Sequence, residues 1–275
     1  MYAQHNGMGG GFPMVPGHEI IGKVAAVGDG VTTYKEGDRI GAGWHGGHDG
    51  TCQACKKGFL QMCSSPVVNG ETQQGGYGEY VLIQAKAAVR VPAHVDAAKY
   101  APMLCAGVTA FNALRKMDIP AGETVAVQGL GGVGHMAIQY ANRLGYRVVA
   151  ISRDGSKEEV ARELGAHDYV DASKGDVGEQ LQKLGGARLI IVTAPTAEVA
   201  GPLLGAWQAS FLLGKGLSVQ CWPGGHNGDS EDAIVFTERH NVDCVIEKFP
   251  LSKANEAYSA MLSGNVRFKG VLVME

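Results

Sequence analysis

The feature that most constrains the fold is a glycine pattern near the middle of the chain. Gly129, Gly131 and Gly134 follow the apolar run 124–127 and precede a helical pattern over 133–144. Glycines at this spacing allow a tight turn and let a pyrophosphate approach the amino end of a helix, whose N–H groups attract anions. A glycine-rich packing turn is the alternative, but the position between strand and helix favours a dinucleotide-binding loop. The residues of that loop are Gly129, Gly131, Gly132, Val133 and Gly134.

From residue 122 onward, apolar runs alternate with amphipathic ones. The expected strands are 124–127, 147–151, 168–170 and 189–192, and the expected helices are 133–144, 157–164 and 177–184. Strands that alternate with helices predict an α/β fold with a doubly wound parallel sheet. Further along the chain we expect helices over 229–240 and 252–263 and a closing strand over 270–274.

The first third of the chain has a different pattern of apolar and glycine residues. It is rich in glycine, and short apolar runs predict strands over 19–27, 80–83 and 88–92. This pattern indicates a small β-rich domain. A chain of 275 residues is long enough for two domains.

Three cysteines lie close together in a loop of that β-rich third. Cys52, Cys55 and Cys63 have the spacing Cys-x2-Cys-x7-Cys, and Asp49 stands three residues before the first of them. Thiolates at such spacing hold a tetrahedral zinc, and a carboxylate can supply the fourth ligand. His45 and His48 are alternative fourth ligands, and three unpaired thiols are the alternative without metal. Because four protein ligands leave no open position, this zinc would be structural.

The end of the second strand of the α/β region bears on the choice of dinucleotide. An acidic residue there would bind the ribose hydroxyls of NAD. Instead the strand ends in Ser152 and Arg153, with Lys157 shortly after, and these groups suit the 2'-phosphate of NADP. Asp154 favours NAD if it turns inward. We therefore predict NADP as the cofactor, with NAD as the alternative.

Composition excludes several classes of partner. The net charge of -3 and a pI of about 6.3 favour neither nucleic acid nor an anionic membrane. No apolar run reaches the roughly 20 residues that a bilayer span needs, and the first residues lack the regions of a signal peptide. Isolated cysteines at 105, 221 and 244 suit a reducing compartment. We therefore expect a cytoplasmic protein.

Six motifs together resemble the zinc-containing medium-chain alcohol dehydrogenase family, and most closely its microbial and plant branch that reduces aldehydes. They are Val15-Pro16-Gly17-His18-Glu19, Gly37-Asp38-Arg39, the three cysteines, Gly75-Gly76-Tyr77-Gly78-Glu79-Tyr80, Leu104-Cys105-Ala106-Gly107-Val108-Thr109 and the glycine loop. The resemblance implies a Rossmann-type NAD(P)-binding domain over 106–244. It also implies a GroES-like catalytic domain over 1–105, partial at its amino end and completed by 245–275.

The resemblance also implies an activity and a second metal site. The activity is reversible hydride transfer between NADP(H) and a primary alcohol or aldehyde, a small-molecule substrate. In the family, residues that match His18 and Cys105 bind a catalytic zinc, with Glu19 beside or on the metal. Such a zinc polarises the substrate oxygen. The sequence is compatible with a homo-oligomer.

Departures from the family pattern lead to an expectation of impaired activity. Family members have a segment before Gly11-Phe12-Pro13 that supplies a first zinc ligand and a proton-relay hydroxyl, and Asp49 stands where a fourth cysteine is usual. A strand expected after Gly201-Pro202-Leu203-Leu204 is shortened or missing here. We therefore expect a truncated, internally shortened member. The alternatives are an inactive remnant that still binds cofactor or zinc, and a zinc-free enoyl or quinone reductase, against which the cysteines argue.

Overall fold

The computed structural model describes residues 13–193 and 218–274. The chain divides into two compact units, one formed by residues up to Thr109 with those from Pro223 onward, the other by Ala110–Trp222. The sequence predicts these boundaries at 105/106 and 244/245, whereas in the structure residues 223–244 pack with the first unit. The expected shortening after Gly201 lies outside the described residues.

The amino-terminal part of the first unit is built from short elements. Its strands are β1 Ile20–Lys23, β2 Arg39–Ala42, β3 His45–Gly47, β4 Val67–Val68 and β5 Val89–Arg90. Its helices are α1 Gln53–Lys56, α2 Ala97–Tyr100 and α3 Ala106–Arg115, the last of which continues into the second unit. Strands β1, β2 and β5 form an antiparallel sheet in that order, with Ile20 opposite Ala42, and β3 pairs with β4.

Close backbone contacts hold the segment before α3 against this sheet. A Cβ atom on Gly43 would lie 2.3 Å from the carbonyl oxygen of Leu104, and one on Gly41 would lie 2.5 Å from the Leu104 side chain. The Gly43 contact is with backbone that cannot turn aside, so only glycine allows this approach at position 43. Leu104 is 1% exposed, and its position fixes that of Cys105.

The predicted strand over 80–83 is wrong. In the structure this segment is not part of any sheet, and Tyr80 and Leu82 are 81% and 84% exposed. The reason is that a strand requires a neighbouring strand for its hydrogen bonds, and none lies beside this segment in the described part of the chain. The predicted strand over 19–27 is also shorter than expected, since pairing with β2 ends at Lys23.

The second unit contains the parallel sheet that the sequence predicts. Its strands are β6 Thr124–Gln128, β7 Arg147–Ser152, β8 Asp168–Asp171 and β9 Leu189–Val192, and its helices are α4 Gly134–Arg143, α5 Glu158–Glu163 and α6 Val177–Lys183. The strand order is β8-β7-β6-β9, and all pairs are parallel. The buried cluster on this sheet comprises Ala126, Val149, Ile151, Val170 and Leu181. The predicted elements of this region are confirmed to within about two residues, and the fold is α/β as expected.

The carboxy-terminal part of the first unit forms a strand–helix–strand motif after one long helix. The elements are α7 Asn227–Arg239, β10 Ile246–Pro250, α8 Ala254–Ser263 and β11 Lys269–Val273. Strands β10 and β11 are parallel. The two helices and β11 match the sequence prediction, whereas β10 was not predicted. None of the helices in the described ranges is long and apolar enough to cross a bilayer.

Candidate functional site

A histidine–cysteine centre, formed by His18, Glu19 and Cys105, lies in the first unit. His18 and Glu19 immediately precede β1, and Cys105 immediately precedes α3. The structure brings His18 Nε2 within 3.2 Å of Cys105 Sγ, although 87 residues separate them in the sequence. The pairing that the family resemblance implied is therefore present in the fold.

Backbone hydrogen bonds fix the segment that leads to His18. The N–H groups of Gly75, Gly76 and Tyr77 donate to the carbonyl oxygens of Val15, Gly17 and Pro16, respectively, at 2.7–3.0 Å. Gly17 has a φ of 99°, and a Cβ atom there would lie 2.4 Å from the Tyr77 ring. Glycine is required at this position on both counts, which explains the Pro-Gly-His order of the motif.

Desolvation keeps both donors of the histidine–cysteine centre neutral in the metal-free chain. It lowers the pKa of His18, an effect that the nearby Glu19 carboxylate opposes. Desolvation also raises the pKa of the Cys105 thiol to about 12. Because zinc binds thiolate and neutral imidazole, metal binding at this centre would release a proton from Cys105.

Glu19 is not free in this structure, because it pairs with Lys269 at the start of β11. Lys269 Nζ lies 2.7 Å from Glu19 Oε1, and the two side chains are 21% and 19% exposed. Desolvation would lower the pKa of Lys269, but Glu19 and Cys105 outweigh it and raise that pKa. No sequence motif marks Lys269, since a lysine at the start of a strand is commonplace.

The residues present fit a zinc ion at this centre only in part. Two donors of one tetrahedral zinc are separated by about 3.5 Å, judged from the usual Zn–N and Zn–S bond lengths. The 3.2 Å between His18 and Cys105 agrees with that geometry. Glu19 Oε1 is paired with Lys269, so Glu19 would add a third donor through its other carboxylate oxygen. Thus the described part of the chain supplies two donors and one engaged carboxylate.

The cysteine lobe, residues 49–63, brings a full set of four donors together. The carboxylate of Asp49 and the thiols of Cys52, Cys55 and Cys63 lie within 4.8 Å of one another. Among the described residues, this is the one group of three or more His, Cys, Asp or Glu donors at such separations. Four donors of this chemistry suit a closed structural zinc site. The sequence-predicted ligands thus lie together, and their role as ligands stays a proposal.

Local hydrogen bonds prepare the lobe for a cation. Asp49 Oδ1 accepts from the N–H groups of Thr51 at 2.6 Å and Cys52 at 2.9 Å, and its pKa is lowered in consequence. Backbone N–H groups of Cys55 and Ser64 lower the pKa of Cys52 to about 6, so this thiol is ionised at neutral pH. Desolvation instead raises the pKa of Cys55 to about 12.

The two histidines considered as alternative ligands pair with each other instead. His45 Nε2 lies 3.1 Å from His48 Nδ1, and the rings are stacked at 5.2 Å. Desolvation lowers the pKa of His45 to about 4. Neither histidine belongs to the four-donor group, which favours Asp49 as the fourth ligand.

The glycine loop joins β6 to α4 in the second unit. Gly129 has a φ of 95°, and Thr193 Oγ1 donates to its carbonyl oxygen at 3.1 Å. A Cβ atom on Gly134 would lie 1.8 Å from that same oxygen. No side chain caps the amino end of α4, while open space surrounds the Cβ position of Gly131. Uncapped N–H groups beside open space form a typical phosphate-binding end of a helix.

The residues after β7 lie beside this loop. Lys157 Nζ donates to the carbonyl oxygen of Leu130 at 2.9 Å, while Ser152 ends the strand and Arg153 is exposed. Asp154 Oδ1 accepts from the Ser156 N–H at 2.9 Å and so caps the following turn. The carboxylate that would favour NAD is therefore already engaged.

A large cavity opens in the first unit beside the histidine–cysteine centre. Its volume is about 1560 Å³, and His18, Glu19, Cys105 and Lys269 lie in its wall. The wall also includes Trp44 and Glu71, two residues that the sequence analysis missed. Glu71 follows Asn69-Gly70, a turn signal that could have drawn attention to it.

Two family models match this chain. Residues 1–93 match the alcohol dehydrogenase GroES-like domain, and residues 132–204 match the zinc-binding dehydrogenase model. Among curated relatives, the alcohol dehydrogenase patD of Penicillium expansum is 60% identical, over 99% of this chain and 85% of that protein. These matches agree with the parallel sheet, the glycine loop and the two groups of metal-type donors.

Solved structures agree as well. A cinnamyl alcohol dehydrogenase of Sorghum bicolor superposes with a TM-score of 0.83 at 29% identity, covering 96% of this chain and 82% of that one. A CAD from Helicobacter pylori, solved with NADP(H), gives 0.81 at 25% identity, with the same coverage. Fold and site thus define a zinc-binding dehydrogenase. The chain belongs to the zinc-containing medium-chain alcohol dehydrogenase family and is an alcohol dehydrogenase-like oxidoreductase, whose family cofactors are zinc and a nicotinamide dinucleotide.

Proposed function

We propose that this chain transfers a hydride between NADP(H) and a primary alcohol or aldehyde, with zinc at the histidine–cysteine centre. The observation that carries the proposal is the 3.2 Å contact between His18 and Cys105 in the wall of the cavity. Zinc bound there would polarise the substrate oxygen and stabilise the alkoxide form of an alcohol. The chain's own contribution is to orient two donors and to exclude water around them.

A structural zinc in the cysteine lobe is the second part of the proposal. Asp49, Cys52, Cys55 and Cys63 would hold it, leaving no position for substrate. Carboxylate binds zinc less tightly than thiolate does, so we expect a more labile site than one with four cysteines.

The choice of NADP rests on the residues after β7. Arg153 and Lys157 provide positive charge, Ser152 provides a hydroxyl group, and Asp154 is held by Ser156. The Helicobacter pylori relative, whose structure contains NADP(H), supports the same choice. NAD remains the alternative cofactor.

Cofactor titration tests this choice. Arg153→Ala should weaken NADPH binding by about tenfold, because a hydrogen bond to a charged group is lost, and should leave NADH binding unchanged. Arg162→Ala is the matched control, since Arg162 pairs with Glu158 at 2.8 Å within α5. Equal affinities of the parent chain for NADPH and NADH would contradict the assignment.

NADPH-dependent reduction of a panel of small and aromatic aldehydes tests the activity itself. We expect slow turnover, because the described residues supply only two unengaged donors to the catalytic metal, and loss of turnover in His18→Ala. His94→Ala is the control, since His94 is exposed and pairs with Glu238. Turnover by His18→Ala at the rate of the parent chain would contradict the proposed centre.

An inactive remnant that binds zinc or cofactor is the second candidate function. The pairing of Glu19 with Lys269 favours it, because the ion pair makes this carboxylate a weaker third donor for the catalytic metal. Binding of NADPH and one zinc per chain without any aldehyde reduction would identify this case. A homo-oligomer stays a prediction, which the mass of the purified chain in solution would test.

A further inference from the structure

Glu71 occupies the tip of a tight turn that follows β4. The N–H of Glu71 donates to the carbonyl oxygen of Val68 at 3.2 Å, and the N–H of Gly70 donates to that of Gln73 at 2.8 Å. The base of the turn is anchored by Asn69, which is fully buried and donates from Nδ2 to Gly43 O at 2.7 Å. These bonds give the backbone at Glu71 little freedom.

The same turn packs directly on the segment that leads to His18. A Cβ atom on Gly70 would lie 2.8 Å from the Gly17 nitrogen and 2.9 Å from the Gly17 oxygen. Gly70 also has a φ of 75°, so a side chain is excluded there for two independent reasons. Backbone contact therefore holds Glu71 at a fixed position relative to the histidine–cysteine centre.

The Glu71 carboxylate is oriented but only partly satisfied. Trp44 Nε1 donates to Glu71 Oε2 at 3.3 Å. No other hydrogen bond or ion pair to this carboxylate is formed within residues 13–193 and 218–274. Both side chains are half-buried, and the negative charge of Glu71 acts on the His18 imidazole. The site thus has an acceptor oxygen to which none of the described residues donates, and its charge reaches His18 of the proposed reacting centre.

Apolar side chains line the cavity around the Glu71 carboxylate. Tyr77, Ile20 and Ile21 line the same cavity, which opens toward His18 and Cys105. An apolar wall favours an apolar substrate skeleton through burial of its surface. A carboxylate held in place beside such a wall then discriminates among substrates by their polar groups.

We propose that Glu71, positioned by Trp44, selects substrates that carry a hydroxyl group away from the reacting carbon. A substrate hydroxyl donates a charge-assisted hydrogen bond to the free carboxylate oxygen. A substrate with a methyl group in that place displaces water from the carboxylate without replacing its hydrogen bonds, and one with a carboxylate is repelled. The inference rests on the proposed function, because it concerns the substrate of the same centre.

Equilibrium binding tests the inference without requiring turnover. The probes are 3-(hydroxymethyl)benzyl alcohol and 3-ethylbenzyl alcohol, which have closely similar shapes and differ by one hydroxyl group. Calorimetry with the zinc-loaded parent chain should show about tenfold tighter binding of the hydroxylated probe, the usual range for a hydrogen bond to a charged group. Glu71→Leu should abolish this preference, and Trp44→Phe should reduce it by loosening the carboxylate.

Glu79→Gln is the matched control, since it removes one carboxylate from the rim of the same cavity and should leave the preference unchanged. An unchanged preference in Glu71→Leu would overturn the inference, as would a parent chain that does not distinguish the probes or binds neither at millimolar concentration. Absence of aldehyde reduction, by contrast, would count against the proposed function. The binding preference between the two probes would still test whether Glu71 selects hydroxylated ligands.

Discussion

The cysteine lobe and the histidine–cysteine centre use similar donors but are built in opposite ways. In the lobe, 15 consecutive residues supply four donors within 4.8 Å of one another. In the centre, two donors meet across 87 residues of sequence, and the adjacent Glu19 is held by Lys269. The lobe therefore depends on local loop geometry, whereas the centre depends on the packing of the whole first unit.

The number of metal donors at a site and their distance apart in the sequence therefore vary independently. A short loop can assemble a complete set, because closing a small loop costs little conformational entropy. A centre assembled from distant segments is held by many packing contacts but can still lack a donor. We therefore expect the lobe to retain zinc through purification and the centre to exchange it readily.

Removal of one lobe cysteine should have the largest effect. Cys55→Ser should weaken zinc binding by more than about 100-fold, because loss of a ligand exceeds the 10- to 100-fold effect of losing an outer partner. Metal analysis after gel filtration should give about one zinc in the parent chain and almost none in Cys55→Ser. Cys105→Ser is the control and should keep that zinc. Zinc retained in Cys55→Ser but lost in Cys105→Ser would show that the histidine–cysteine centre, and not the lobe, holds the tightly bound metal.

Thiol alkylation should separate the two regions in the metal-free chain. Cys52, with a pKa of about 6, is ionised at pH 7, whereas Cys105, with a pKa of about 12, is protonated. We expect Cys52 to react with iodoacetamide about 100-fold faster at pH 7, after allowing for the lower nucleophilicity of the more acidic thiol. The Cys52 rate should fall below pH 6. Peptide mass spectrometry would follow both sites, and equal rates would contradict the difference in ionisation.

Breaking the Lys269–Glu19 pair should destabilise the centre without touching the lobe. Lys269→Met should reduce the free energy of unfolding by about 2 kcal/mol, because it leaves a largely buried carboxylate without its cation. Lys99→Met is the matched control: Lys99 and Asp243 are about half exposed, so the loss should stay below about 1 kcal/mol. Urea denaturation measures both variants. Equal losses would show that the Lys269 pair acts as an ordinary surface pair.

Conversion of Asp49 to cysteine should have the smallest effect of the four and the opposite sign. Asp49→Cys replaces a carboxylate by a thiolate and should slow zinc release to a chelator by about tenfold, since thiolates are the preferred ligands of structural zinc. Thr51→Ala is a control that keeps all four donors. Faster release from Asp49→Cys would show that the backbone hydrogen bonds of Asp49 hold the loop closed.

The sequence predicted the second unit almost completely, because apolar runs and amphipathic helical patterns alternate regularly there. The strands predicted over 124–127 and 147–151 correspond to β6 and β7, each of which is one residue longer in the structure. The segment 80–83 has an equally good strand pattern but forms no strand, since pairing is a property of the neighbours rather than of the segment. Burial in a sheet therefore cannot be inferred from a short apolar run alone.

The candidate site was predictable where its residues form motifs and obscure where single residues act. Spacing pointed to the cysteine lobe and the glycine loop, and the family resemblance brought His18 and Cys105 together. Lys269 belongs to no motif, and only the turn signal Asn69-Gly70 lies next to Glu71. Each acts through one contact with a residue far away in sequence, Glu19 and Trp44 respectively.

The contact between Gly134 and the Gly129 carbonyl has a consequence for reading genetic variation. With a Cβ atom only 1.8 Å from that oxygen, every replacement of Gly134 must displace the turn itself. A variant at this position would therefore lose cofactor affinity through misfolding, while a variant at Gly131, where open space surrounds the backbone, would fold normally and meet only the ligand. Two neighbouring glycines with the same apparent phenotype would thus belong to different categories of defect, and heat sensitivity in the absence of cofactor would tell them apart.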